Sequence, residues 1–383
     1  MRLLHTSDWH LGRTLFAVPL IDHQRAFLEW LVDGIRADPV DAVLICGDVY
    51  DRAVPSVEAV ALFEWALVEL ARITEVVLIP GNHDSAARLG FAGPLLEAAH
   101  VHVRANVDGI ERPVRITDAL DQSVEVFAIP YLEPAFQAER LDCERSHEAV
   151  LGAAMDRIRA SSAQRDSAPM VVVAHAFVTG GLGSDSERDV RVGGIADAPV
   201  SVFDGAAYVA LGHLHRPQAI GAGEATPCRY SGSPLAYSFS EEGQVKSVTI
   251  IEIAPDGTIA IELLATPVPR RMTTIRGLLA DLLADPSLDA CSDDWIRAVI
   301  TDARRPERPM DRLRERFPHT LQLEFEPDGG VLATGAPTAD VRAMDPVEVV
   351  GQFLEHVTGT PVTEAESTLI ASAVERTRLR MVQ

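Results

Sequence analysis

Five short polar clusters in this chain carry side chains able to hold a divalent cation: Asp8-Trp9-His10, Gly47-Asp48-x-x-Asp51, Gly81-Asn82-His83-Asp84, His175, and Gly212-His213-Leu214-His215. Phosphodiesters resist hydrolysis because the anionic phosphate repels nucleophiles. Two cations roughly 3.5–4 Å apart overcome this by activating water and stabilising an in-line transition state. Such a pair needs a bridging carboxylate, and a rigid Gly-Asp turn makes Asp48 the choice. Asp8, His10, Asp48 and His215 are assigned to one ion, and Asp48, Asn82, His175 and His213 to the other. Mixed imidazole, carboxylate and amide donors favour manganese, iron or zinc over the all-oxygen shells of calcium or magnesium. The lack of thiolates argues against a structural zinc site.

His83 sits beside a ligand without being one. An imidazole there is suited to hold the scissile phosphate or to protonate the leaving oxygen. Asp51 and Asp84 lie in the same turns and are expected to orient His side chains rather than bind metal. Taken singly, Asp-x-His, Gly-Asp-x-x-Asp and His-x-His recur in ordinary loops and strands. Gly-Asn-His-Asp directly after an apolar run is more specific, and all five clusters in one order are more specific again.

What must position these residues is an α/β layered fold, because short apolar runs alternate with helical patterns. Leu3–Thr6, Ala42–Cys46 and Val76–Ile79 are expected as buried strands, followed by Val124–Ile129, Val171–Ala174, Tyr208–Leu211, Ser247–Ile253 and Ile259–Leu264. Leu20, Phe27, Leu28, Leu31, Val32 and Ile35 recur at helical spacing, and Ser56 is an N-cap for a helix carrying Leu62, Phe63 and Leu70. Five strands then end on a metal-capable cluster, and the carboxyl ends of strands are where α/β sheets place their ligands.

Pro267-Val268-Pro269 marks a linker, which puts one domain at residues 1–268. A small α+β domain over 269–340 is expected from a helix at Ile275–Leu283, strands at Ile296–Thr301 and Leu321–Phe325, and a helix at Asp311–Phe317, closing on a Gly329-Gly330 turn. Residues 341–383 are expected to form two amphipathic helices. Asp345 with Pro346 starts the first, and Thr363 with Glu366 forms a capping box for the second.

At 383 residues the chain exceeds the size of a single core. No apolar run approaches the roughly 18 residues of a membrane span, and with Met1 leading straight into an expected strand no export signal is expected. The four cysteines, Cys46, Cys143, Cys228 and Cys291, show no Cys-x-x-Cys spacing. They are expected as reduced thiols in the cytoplasm. A net charge of −22 opposes binding to nucleic acid unless bound cations or a partner subunit supply positive charge; a salt-adapted surface would also account for it. Lys246 is the only lysine.

The chain resembles the calcineurin-like metallophosphoesterases and, within them, the SbcD nuclease subunits. The narrower likeness lies in Thr6-Ser-Asp-Trp-His-Leu-Gly-Arg13, His23-Gln-x-x-Phe-Leu-x-Trp30, Ser184-Asp-Ser-Glu-Arg188 before Gly193-Gly194, Ala210-Leu-Gly-His-Leu-His-Arg216, and Tyr230-Ser-Gly-Ser-Pro234. It covers residues 1–265 well and the remainder in layout only. The resemblance implies a four-layer α-β-β-α sandwich, a capping domain that contacts DNA, and C-terminal helices that dock on an SbcC-type ATPase. It also implies a manganese-dependent 3′–5′ exonuclease on duplex DNA, with endonuclease action on hairpins and single strands, serving DNA repair, recombination and replication. A homodimer within a heterotetramer is implied as well.

Two other readings remain open at this stage. One is a small-substrate relative, such as a cyclic-nucleotide phosphodiesterase or a phosphatase. The other is a non-catalytic scaffold, whose mark would be a broken ligand set. The C-terminal helices either dock a partner or pack on their own core.

Overall fold

The computed structural model describes residues 1–165, 168–187, 197–221, 226–327 and 345–381. Arg188, Gly193, Gly194, and the Gly329-Gly330 turn with the stretch after it lie outside the described residues.

The chain opens with β1 (Arg2–Thr6), a small hairpin of β2 (Thr14–Leu15) and β3 (Val18–Pro19), and α1 (Ile21–Ala37). Then come β4 (Ala42–Cys46), α2 (Val57–Ala71), β5 (Glu75–Ile79), the short α3 (Ala86–Leu89) and α4 (Gly93–Glu97), β6 (Val101–Val103), β7 (Val114–Thr117) and β8 (Ser123–Ile129). α5 (Pro134–Leu141) and α6 (His147–Ser162) precede β9 (Met170–His175), β10 (Tyr208–Gly212), β11 (Gln218–Ile220), β12 (Cys228–Tyr230), β13 (Ser247–Ile253) and β14 (Ile259–Ala265). The remainder comprises β15 (Met272–Gly277), α7 (Leu279–Ala284), β16 (Trp295–Ile300), α8 (Pro309–Arg316), β17 (Thr320–Phe325), α9 (Pro346–Thr358) and α10 (Glu364–Met381).

Two six-stranded sheets form the centre, in the orders β14-β13-β1-β4-β5-β6 and β11-β12-β10-β9-β8-β7. In the first, β1, β4, β5 and β6 run parallel; in the second, β8, β9, β10 and β12 do. Antiparallel strands close one edge of the first sheet, β13 and β14, and both edges of the second, β7 and β11.

The layering follows from side-chain alternation along each strand. In β4, Val43 and Ile45 pack with Phe27, Leu31 and Leu62 of α1 and α2, while Ala42, Leu44 and Cys46 turn the other way, onto the second sheet. In β9, Val171 and Val173 meet that inter-sheet core, while Val172 and Ala174 face Leu151, Met155 and Ile158 of α6. Strands covered on both faces must be apolar on both, which is why they read as unbroken hydrophobic runs. The result is a four-layer α-β-β-α sandwich.

The helix starts obey local rules. Ser56 accepts the Ala59 amide at 3.2 Å and starts α2; Asp345 accepts the Val347 amide at 2.8 Å and starts α9. Thr363 and Glu366 bond reciprocally ahead of α10, with Glu366 Oε2 accepting the Thr363 amide at 2.8 Å. Such caps are worth about 1 kcal/mol each.

The chain divides into two compact units, Met1–Thr274 with Asp293–Arg297, and Ile275–Ser292 with 298–383. Strands β15, β16 and β17 form a three-stranded sheet. The helix expected from Ile275 begins instead at Leu279, and Ile275–Gly277 are strand. The apolar residues at 275, 278, 279 and 282 mimic a helical stripe, but Gly277 at φ 156° breaks it. β15 finds its hydrogen bonds in the sheet. The two C-terminal helices pack on each other and leave Phe353, Val357 and Leu369 exposed within their unit.

Candidate metal centre

Every cluster singled out above lies at the carboxyl end of a strand: Asp8 and His10 after β1, Asp48 after β4, Asn82 and His83 after β5, His175 as the last residue of β9, and His213 and His215 after β10. Backbone bonds zip the first two loops together. Asp8 N–H donates to the Gly47 carbonyl at 3.0 Å, and His10 N–H to the Asp48 carbonyl at 2.9 Å. Gln24, from α1, donates its amide to the Trp9 and His10 carbonyls and accepts the Gly12 N–H. The Trp9 indole, wedged against Phe27 and Phe63, donates to Thr6 at 2.9 Å.

Close approach requires glycine at two places, one between the two sheets and one between neighbouring loops of the first sheet. A Cβ on Gly212 would lie 1.9 Å from the Cys46 carbonyl oxygen, and one on Gly81 would lie 2.2 Å from Asp48 Oδ1. Asp8, His10, Asp48 and His213 all adopt positive φ (54°, 46°, 48° and 115°). Each such residue stores on the order of 1 kcal/mol of strain, a feature that clusters at functional sites.

The side chains converge. Asp48 Oδ2 lies 3.7 Å from His10 Nε2 on one side and 3.5 Å from His175 Nε2 on the other. Asp8, His10 and His215 form one group of mutually close donor atoms, and Asp48, His175 and His213 another. Asn82 Oδ1 closes the second group, 2.9 Å from His175 Nε2 and 3.1 Å from His213 Nδ1. His83 joins His10 and Asp48 in a third, its ring 4.7 Å from that of His10.

Proton placement tests whether these groups fit a cation. A carbonyl only accepts, so the 2.8 Å contact between His175 Nδ1 and the Cys46 carbonyl places a proton on Nδ1 and a lone pair on Nε2, which then faces the Asn82 carbonyl oxygen. His10 Nε2 and His215 Nε2 are 3.0 Å apart, and the buried His10 Nδ1 has no hydrogen-bond partner. A proton on His10 Nε2 leaves Nδ1 unsatisfied. A proton on Nδ1, with the Glu241-bound Ser186 keeping the His215 proton on its own Nδ1, turns two lone pairs on each other. Neither is comfortable in a buried site, and a cation between the nitrogens removes the conflict.

Electrostatics point the same way. Burial, and then the neighbouring Asp48 carboxylate, pushes Asp8 well above the usual carboxylate range. Burial pulls His10, His175 and His213 below the ordinary imidazole value, which keeps them in the neutral form that binds metals. Crowded buried acids beside neutral imidazoles are a site lacking positive charge, and the residues fit a pair of divalent ions.

The supporting groups differ in part from the sequence expectation. Asp51 does approach histidine, with Oδ1 3.7 Å from His10 Nδ1 and its backbone carbonyl accepting His83 Nδ1–H at 2.8 Å. Among the described residues Asp84 bonds no imidazole. Its carboxylate accepts the backbone amides of Gly81, Val49 and Tyr50 at 2.9, 3.0 and 2.9 Å, so it shapes the turn that presents Asp48. Burial and then Asp48 push Asp84 up to about 7 against those three amides.

Several contributors had no assigned role in the sequence reading. Glu187 Oε1 accepts the His215 backbone amide at 2.7 Å. Ser186 Oγ lies 2.5 Å from His215 Nδ1 and 2.5 Å from Glu241 Oε1. Glu241 pairs with Lys246, and both side chains are fully buried. Burial alone would raise Glu241, but His215 and then Lys246 pull it down to about 2. The signals were present: Ser186 and Glu187 belong to the Ser-Asp-Ser-Glu loop, and a chain with one lysine has given that lysine unusual work. The Arg13 guanidinium donates to the Ser186 carbonyl at 2.9 Å and lies over the Tyr237 ring, tying this loop to the first cluster.

The family profile described as calcineurin-like phosphoesterase matches residues 1–217, and one described as type 5 capsule protein repressor C-terminal domain, the SbcD C-terminal domain, matches residues 268–358. Among solved structures, the chain is similar to TT1561 of Thermus thermophilus, with 15% identity, coverage of 68% of this chain and 98% of that one, and a TM-score of 0.41. It is similar also to a dimetal phosphatase from Danio rerio, with 10% identity, coverage of 69% and 96%, and a TM-score of 0.43. With the first profile spanning more than half of its length and the second following behind, the chain belongs to the calcineurin-like phosphoesterase family, as an SbcD-type metallophosphoesterase.

Proposed function

We propose that this phosphoester hydrolase is a DNA nuclease subunit that works on two divalent cations, Mn2+ being the best match to its donors. Asp8, His10, Asp48 and His215 would hold one ion, and Asp48, Asn82, His175 and His213 the other. The observation that carries the reading is Asp48 Oδ2, which lies between His10 and His175 and within reach of both donor groups. When bound, the cations supply Lewis acidity and an activated water for in-line attack on phosphorus. The protein's own contribution is placement. Asp84 and the glycine contacts fix the Asp48 turn, and the Cys46 carbonyl fixes the tautomer of His175. The Asp51 carbonyl holds His83 Nδ1–H and leaves Nε2 to contact the scissile phosphate or carry the proton to the leaving oxygen.

The match of residues 268–358 to the SbcD C-terminal domain favours DNA over a small ester. On this reading residues 269–340 contact DNA, and the helical pair within 341–383 docks an SbcC-type ATPase, consistent with the exposed Phe353, Val357 and Leu369. The assembly, a dimer of this chain within a heterotetramer, acts in the cytoplasm as an ATP-dependent 3′–5′ duplex exonuclease and a hairpin and single-strand endonuclease in repair and recombination. Among the described residues no helix is long and apolar enough to cross a membrane.

The test is to incubate the chain with Mn2+ and end-labelled linear and hairpin DNA, beside cyclic nucleotides and a generic phosphoester, with and without the ATPase. DNA cleavage supports the reading. Turnover of the small esters with DNA left intact, even with the ATPase added, would replace it with a small-substrate phosphodiesterase or phosphatase.

A further inference from the structure

We propose that Ser186, Glu241 and Lys246 form a buried positioning chain that sets the tautomer and orientation of His215 and thereby tunes the affinity of one cation position and not the other. The inference rests on the two-cation reading above.

The geometry runs in one direction. Lys246 Nζ, almost fully buried, donates to a Glu241 carboxylate oxygen, to the His215 backbone carbonyl at 2.8 Å and to Ser233 Oγ at 3.1 Å. The other Glu241 oxygen lies 2.5 Å from Ser186 Oγ. A carboxylate held by an ammonium only accepts, so the Ser186 hydroxyl proton goes to Glu241. Ser186 Oγ is then left with lone pairs facing His215 Nδ1 at 2.5 Å, and Nδ1 must carry the proton. His215 Nε2 therefore keeps its lone pair and points at His10 and Asp8, where the first cation would sit.

The backbone of His215 is gripped at both ends, its amide by Glu187 and its carbonyl by Lys246. Among the described residues no comparable side chain is bonded to His175 Nδ1, whose proton goes to a main-chain carbonyl. Polar partners behind a metal-ligating histidine typically change metal affinity about 10–100-fold when removed. A buried ion pair is weak evidence of stabilisation in itself, so one spent behind a single ligand invites a positional role.

The experiment is calorimetric titration of the full chain with Mn2+, with thermal melts in EDTA as a fold control. Wild type should bind two ions. Ser186→Ala should weaken one of the two events about 10–100-fold and leave the other unchanged. Ser186→Thr, which keeps the hydroxyl, should restore it. Glu241→Gln should weaken the same event, and the Ser186→Ala/Glu241→Gln double variant should lose no more than the worse single one, because links of one chain do not add. Two ions bound as tightly by Ser186→Ala as by wild type, equal weakening of both events, or additive losses in the double variant would overturn the chain alone. A wild-type protein that binds no Mn2+, or a single ion, overturns the two-cation reading and this inference together.

Discussion

Replacing Lys246 by methionine isolates the energetic weight of the buried ion pair. Methionine keeps the apolar stem and close to the length, but deletes the ammonium and its bonds to Glu241, the His215 carbonyl and Ser233. The His215 carbonyl retains the Ser233 amide at 3.1 Å, so it is not orphaned. The Glu241 carboxylate is left fully buried with the Ser186 hydroxyl at 2.5 Å, the Ser184 hydroxyl at 3.3 Å and His215 Nδ1 at 3.8 Å. Burial pulls the Lys246 ammonium below its ordinary value, whereas Glu241 is held down to about 2. The stranded charge is therefore the carboxylate. Breaking such a pair from one side costs roughly 3–5 kcal/mol, whereas removing both charges is often near neutral. Urea unfolding in EDTA, which removes any contribution from metal binding, should show a loss of about 3–5 kcal/mol for Lys246→Met. The Lys246→Met/Glu241→Gln double variant should recover at least half of it. A single-variant loss below about 1 kcal/mol, or a double variant as unstable as the sum of its parts, would refute the reasoning.

His83→Ala should retain both Mn2+ ions by calorimetry and lose about 10²–10⁴-fold in hydrolysis; loss of an ion would make His83 a ligand. Gly81→Ala places a Cβ 2.2 Å from Asp48 Oδ1 and 2.4 Å from the Asp48 amide, so Mn2+ binding should weaken at least about tenfold, and unaltered binding would contradict the Asp48 assignment. His5 is fully buried against Tyr208 and the Leu211 carbonyl, and burial lowers it to about 3. Below about pH 6.5 the unfolded chain takes up a proton that the folded chain refuses, so the stability of wild type relative to His5→Gln should fall by about 2 kcal/mol between pH 6.5 and 5, and a pH-independent difference would contradict it. The isolated chain, at net charge −22, should bind duplex DNA weakly at physiological salt; tight, salt-sensitive binding would show that it needs no partner to supply positive charge.

What was legible in the sequence, and what was not, follows from the range of the interactions concerned. The strands that carry Asp48 and His175 are apolar runs because the sandwich covers them on both faces, and the caps at Ser56, Asp345 and Thr363 are set by bonds to residues two or three positions away. The split into two sheets is expressed only across space: Gly212 against the Cys46 carbonyl is a contact of residues 166 positions apart, and period-2 patterning cannot reveal it. Short strands such as β6, β11 and β12 are three residues long and carry too little pattern to register. At Ile275 the helical spacing misled because Gly277 divides one apolar stripe between a strand and a helix. Asp84 was placed near the site by its motif, yet its partners are main-chain amides, which no side-chain pattern encodes.

The centre thus rests on two kinds of restraint acting on different parts of each ligand. Main-chain geometry, strained at Asp8, His10, Asp48 and His213, sets where the side chains start. Hydrogen bonds to their far atoms, from Cys46 and Ser186, set which nitrogen of His175 and His215 is left to bind. Strain of this order persists only where surrounding structure over-determines it, and here Gln24, Tyr237 and Asp84 lock the loops. These bonds act on the main chain of the donor loops, and a cation held by His10 and His215 would relieve the conflict between their facing nitrogens.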